Sequence, residues 1–183
     1  MFKANFLVIG LILMFLVGCG NSNSRQNTTN TEVSTEKENP KIALFSEIDK
    51  TIARLTLSGI GQLGNWQSDG MGEYFSVSPY YQFGSGTPQN NLAYNLVSEN
   101  SKYIQKVNLI LNINNGSERK QALQKFSEIA KKTLETLEIK IPEGLINAAK
   151  TGREFNFEND TYLVSVKLDK SNIEIFTLLI QSK

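Results

Sequence analysis

The sequence predicts an α+β domain: an antiparallel sheet of about five to six strands with helices packed on one face. Three observations carry that expectation. Apolar residues recur at helical spacing around positions 44–55 and 122–137, they alternate with a period of two over 107–114, and turn residues divide 153–181 into short strand-like runs. The order helix, strands, helix pair, strands builds a sheet whose helices lie to one side.

The first helix places Leu44, Phe45, Ile48, Ile52 and Leu55 on one side and Glu47, Asp49, Lys50 and Arg54 away from them. A Gly-rich polar loop is expected over 58–72, followed by strands at 74–83 and 92–98. Val107, Leu109, Leu111 and Ile113 then alternate with Asn108, Ile110, Asn112 and Asn114, which describes a strand with one buried face. Asn115-Gly116 breaks it, and Ser117 stands where a helix would be capped. That helix buries Ala122, Phe126, Ile129, Ala130, Thr133, Leu134 and Leu137. Pro142-Glu143 is expected to open a shorter helix carrying Leu145, Ile146 and Ala149, with Gly152 as its stop. Strands at 153–157, 162–168 and 173–181 follow, separated by turns at Asn159-Asp160 and 169–172. In the last of them Ile175, Phe176, Leu178, Leu179 and Ile180 make both alternating sets apolar, which predicts a strand covered on both faces. Phe45-Ser46-Glu47-Ile48-Asp49-Lys50 is echoed by Phe126-Ser127-Glu128-Ile129-Ala130-Lys131, an echo with two readings: a chance match of two amphipathic helices, or two pseudo-repeats sharing one sheet.

The ends of the chain differ in character. Lys3 supplies a positive charge, residues 6–17 form an apolar run of 12, and Leu16-Val17-Gly18-Cys19 closes it. The run is short for a membrane span, which needs about 20 residues. Leu16 occupies the place where conventional signal cleavage prefers a small residue. The motif resembles a bacterial lipobox. The resemblance implies signal-peptidase recognition of Leu16, Val17 and Gly18, lipidation of Cys19, and attachment to the cell membrane or outer membrane on the extracytoplasmic side. Two acyl chains suffice for stable anchoring where one does not. The expected organisation is a signal peptide over 1–18, a lipidated cysteine and polar tether over 19–41, and one domain over 42–183. The tether is dominated by Asn, Ser, Thr and Gln and cannot bury enough surface to offset its ordering entropy. At roughly 5–6 Å × √n it gives a mean reach of about 25 Å.

Composition excludes several function classes. Removing 1–18 takes away Lys3, which brings the 19 basic residues to 18, equal to the 18 acidic ones. Neither a basic excess nor a basic stripe marks a nucleic-acid partner; Arg119-Lys120 and Lys131-Lys132 read as solvated helix surface. The chain has no histidine, and its only cysteine is Cys19. Disulfides within the domain, Cys or His metal sites and His-dependent nucleophiles are therefore unavailable. No metal and no cofactor is expected.

The remaining signals fit poorly with chemistry. Gly59-Ile60-Gly61-Gln62-Leu63-Gly64 matches a dinucleotide fingerprint in letters, but a helix precedes it and a loop follows, so no nucleotide is expected. Gly84-Ser85-Gly86 lacks a partner base, and Ser117 with Lys120 at Ser-x-x-Lys spacing is better used as a cap. Neither residues 114–117 nor Glu158-Asn159-Asp160 offers a calcium cage.

Trp66, Tyr80 and Tyr81, beside Asp69 and Glu73, form the candidate surface for a ligand or partner. The leading expectation is a non-enzymatic, membrane-anchored envelope lipoprotein whose domain binds an envelope protein. Two alternatives stand beside it. One is a glycan hydrolase using Asp69 or Glu73, and the other a carrier of an apolar molecule in a cavity behind Phe126, Leu137 and Leu179.

Overall fold

Along residues 106–113 the buried side chains are Val107, Leu109, Leu111 and Ile113, and the half-exposed ones Lys106, Asn108, Ile110 and Asn112. That two-residue period organises the fold. A computed structural model describes residues 45–183. Leu44, the Leu16-Val17-Gly18-Cys19 motif and the tether lie outside the described residues. The elements are α1 (Ile48–Thr56), β1 (Gln67–Ser68), β2 (Tyr74–Val77), β3 (Tyr81–Phe83), β4 (Asn90–Ser98), β5 (Lys106–Ile113), α2 (Arg119–Thr136), α3 (Leu145–Thr151), β6 (Phe155–Glu158), β7 (Tyr162–Asp169) and β8 (Glu174–Ser182). Among the described residues no helix is long and apolar enough to cross a membrane.

The fold is α+β with an antiparallel sheet, larger than the expected five to six strands. Eight strands run in the order β1-β2-β4-β5-β8-β7-β6, with β3 also paired to β4. The extra strands have identifiable causes. The expected strand over 74–83 is split because Pro79 has no N–H to give a ladder, and Ser78 fills the gap by accepting a hydrogen bond from the Tyr94 N–H through its own hydroxyl at 2.8 Å. The loop over 58–72 contributes β1, and it is tied to the core. Ile60 and Leu63 are buried, Leu63 N–H donates to the Thr56 hydroxyl, and Gly64 N–H donates to Val77 O.

Leaving aside β1 and β3, which only the first half has, the strand order reads the same from either side of the β5–β8 pair. Each half then has helical residues followed by a meander, one helix in the first half and two in the second. Phe45 and Phe126 stand the same 29 residues (74 − 45 and 155 − 126) before the first residue of their edge strands, Tyr74 and Phe155. The helices end at matching points but begin differently, since α1 has 9 residues and α2 has 18.

The helices cover one face. Phe126 of α2 packs on Phe176 of β8 with ring centroids 6.3 Å apart, and the Arg119 guanidinium lies over the other end of this contact, 5.7 Å from the Phe176 ring. β8 is interior to the sheet, between β5 and β7, but it is not covered on both faces. Phe176, Leu178 and Ile180 are buried under the helices, whereas Ile175, Thr177 and Leu179 are half-exposed on the helix-free face. An antiparallel sheet tolerates water on one side, so apolar character in both sets does not require a second layer.

Two helix starts differ from expectation. Ser117 does not cap α2. The Asn115 side chain accepts the Ser117 N–H and hydroxyl, making a short 3-10 turn over Gly116–Glu118 that leads into the helix. Pro142-Glu143 forms the turn before α3, whose first residue follows Gly144 in the left-handed region. Gly152 ends α3 as expected, at φ 67°, and a Cβ there would lie 2.7 Å from Arg119 Nη2.

Tyr94 is the main polar tie across the layers. Its hydroxyl meets Thr133 Oγ1 of α2 at 2.6 Å and Ser58 Oγ, just after α1, at 3.1 Å. Burial pushes its phenol above the usual range. Tyr94→Phe is expected to lower stability by about 1–2 kcal/mol in urea unfolding, because it strips a buried hydrogen-bonded hydroxyl from the network.

Glu118 holds the far end. Its Oε1 accepts the Ser85 hydroxyl at 2.6 Å and the Ser85 N–H at 3.0 Å, and these bonds, with the hydroxyl first, hold its carboxyl below the ordinary range. Gly84 has φ 96°, and a Cβ there would overlap the Glu118 carboxylate. A depressed folded-state pKa contributes stability above the unfolded-state value and loses it as pH falls through the folded one. The stability gap between wild type and Glu118→Gln is therefore expected in urea titrations at pH 7 and should narrow as the pH falls below the unfolded-state carboxylate value.

Candidate binding surface

The hairpin joining β1 and β2 turns at residues 69–73, and the Asp69 carboxylate makes that turn. Its Oδ1 accepts the N–H of Met71 at 2.7 Å and of Glu73 at 3.0 Å. These donors, Met71 first, lower its pKa against the opposing effect of desolvation. Glu73 is exposed at the foot of β2. A glycosidase acid needs its pKa raised, so the direction at Asp69 is opposite to what the acid role asks, while the second carboxylate of such a pair is ionised.

The five candidate residues do not converge. Trp66 stacks on Tyr74 at 6.3 Å and donates its indole N–H to Ser101 O at 3.2 Å, packing against the core. Tyr81 faces the helix side, stacked on Phe83 at 6.2 Å with Lys125 Nζ 5.6 Å from its ring. Tyr80 falls in the break between β2 and β3 and is 66% exposed. It stands over the helix-free face while its neighbour Tyr81 turns inward. Leu179 is on that face too, so it lines no common space with Phe126 and Leu137, and the three residues named for an apolar carrier are separated by the sheet.

Tyr80 overhangs a groove of about 460 Å³ on the helix-free face. Val77 and Tyr80 make its wall, with Asn95, Ile110, Asn112 and Ile175 on its floor. None of these carries a charge. Asn112 donates to the Asn91 side chain at 2.8 Å and Asn108 to Asn95 O at 3.1 Å, so the amides form a cross-strand ladder. An uncharged patch with an exposed aromatic residue has the composition of an interface centre. The signal that could have found it is the pair Ile110 and Asn112, which alternates with the core residues of β5.

Other sequence motifs resolve structurally. Ser85 is bound to Glu118, and the 59–64 glycines follow α1 and open no helix. Among the described residues no group of three or more His, Cys, Asp or Glu could hold a metal ion. Cys19, Leu16, Val17 and Gly18 lie outside the described residues. Comparison with known proteins finds no matching family model, no matching curated protein and no matching solved structure.

Trp66 is the sole tryptophan, so its emission reports this corner of the fold. Asp69→Ala removes the acceptor that closes the β1–β2 turn. It is expected to lower the urea midpoint of the Trp66 fluorescence transition.

Proposed function

We propose that the chain is a membrane-anchored envelope lipoprotein whose α+β domain binds a protein partner and performs no chemistry. The observation that carries the reading is the placement of the sole cysteine at the end of the Leu16-Val17-Gly18-Cys19 motif, in a chain without histidine. Such a chain has its reactive thiol assigned to lipid and must build any function from packing, amides, hydroxyls and charges. Two further observations support a binding role. The Asp69 carboxylate is engaged by backbone N–H groups, and the helix-free face presents an uncharged groove beneath an exposed tyrosine.

The test is metabolic labelling with a palmitate analogue and membrane fractionation, joined to in-cell crosslinking of the full-length protein. Wild type is expected to take up label and sediment with membranes, and to yield a crosslinked protein in near-stoichiometric amount. Cys19→Ala is expected to lose the label and most of the crosslink. An unlabelled wild type overturns the anchor; labelled protein that yields no partner overturns the binding role.

A further inference from the structure

α2 and α3 pack side by side on the helix layer, across the sheet from the uncharged groove beneath Tyr80. Between them runs a second groove, of about 660 Å³. Each helix gives it one lysine and one amide: Lys120 and Gln121 from the first turn of α2, Asn147 and Lys150 from α3. All four residues are exposed. Neither lysine makes an ion pair among the described residues. The Gln121 side chain holds no hydrogen bond there, and Asn147 is engaged only through its backbone carbonyl, which accepts the Thr151 hydroxyl at 2.7 Å. The one carboxylate among the lining residues does not offset the lysines, because Glu118 Oε1 is turned to Ser85 and accepts both its hydroxyl and its N–H. A third cation stands at the α3 end, where Arg153 Nε donates to the Thr151 hydroxyl at 3.0 Å. The chain as a whole is near neutral, with 19 basic and 18 acidic residues. The positive excess around this groove is therefore a local feature.

We propose that the groove between α2 and α3 binds a soluble phosphate monoester of a polyhydroxylated compound. Such a monoester carries about −1.5 to −2 charge at pH 7, which matches the two ammonium groups. A carboxylate or a phosphodiester headgroup brings one charge and leaves a lysine unmatched. Lys120 and Lys150 take the phosphate oxygens from the two helices, as point charges on flexible stems. Gln121 and Asn147 each present a donor and an acceptor, the combination that hydroxyl groups on the attached polyol need. The volume lies inside the roughly 300–1,000 Å³ of small-molecule sites, so there is room for the ester as well as its phosphate. This site goes beyond the protein-binding role proposed above and does not depend on it.

The experiment uses the full chain, isotope-labelled and held in phosphatidylcholine nanodiscs, with glycerol 3-phosphate as the probe. Millimolar probe is expected to shift the backbone amide resonances of residues 120–121 and 147–150 and the side-chain amides of Gln121 and Asn147. Glycerol and acetate at the same concentration are expected to leave them in place. Joint replacement Lys120→Gln and Lys150→Gln, at exposed positions, is expected to weaken the probe several-fold and to keep the urea midpoint of Trp66 fluorescence. Should the joint replacement lower that midpoint, each single variant carries the same test. Asn147→Ala is expected to weaken glycerol 3-phosphate and to leave inorganic phosphate unchanged. No shifts, shifts outside the groove, an equal response to glycerol or acetate, or undiminished binding by the lysine variants overturns the proposal. Shifts that need no probe but only phosphatidylglycerol in the nanodisc assign the groove to the bilayer and overturn the soluble ester.

Discussion

The pairing of β5 with β8 is the constraint on which the rest of the molecule depends. Eight residue pairs, from Lys106 with Gln181 to Ile113 with Glu174, join two halves that are otherwise local in sequence. Each half alone is a short antiparallel meander with one or two helices, a unit with one apolar face and too little to bury it against. Joined, they give a continuous floor of Leu109, Leu111, Phe176, Leu178 and Ile180, each wholly or nearly buried, on which α2 lies. Burying each such side chain is worth about 1.5–3 kcal/mol, and the pairing makes that burial available to both halves at once.

A domain without disulfides must hold its layers by packing and by a few polar ties, and the ties lie at opposite ends. Tyr94 links the sheet to α2 and to the chain after α1. Glu118 binds the Gly84–Gly86 loop to the start of α2, with Asn90 Oδ1 accepting the Asn115 N–H at 2.9 Å beside it. The two ties differ in chemistry. Tyr94 is a neutral group in a low-dielectric interior, where its hydroxyl must be satisfied, whereas Glu118 is a carboxylate whose bonds disappear when it is protonated. The first responds to mutation and the second to pH.

The candidate surface shows why local sequence reading has limits. Trp66, Tyr80 and Tyr81 are close in sequence, which by itself suggests one platform. Pro79 breaks the strand between them, so Tyr81 enters the core side, Tyr80 overhangs the opposite face, and Trp66 stacks on Tyr74 away from both. The residues that do share a surface, Val77, Asn95, Ile110, Asn112 and Ile175, come from four strands and form no motif. β1 shows no period in two residues, and Ser117, a residue type that caps helices, instead donates its own N–H to the Asn115 side chain two residues upstream.

The sequence by itself determined the element types of the long segments and the α+β class. Both are written in spacing along the chain, as 3.6-residue and two-residue periods. The tertiary structure alone decided the strand order, the helix-free face of β8 and the difference between the two sheet edges. Those depend on which strands meet across the sheet, and long-range pairing between residues 106–113 and 174–181 leaves no trace in local periodicity. A strand interior to the sheet and a strand with both faces covered look alike in one dimension, because apolar side chains satisfy either setting.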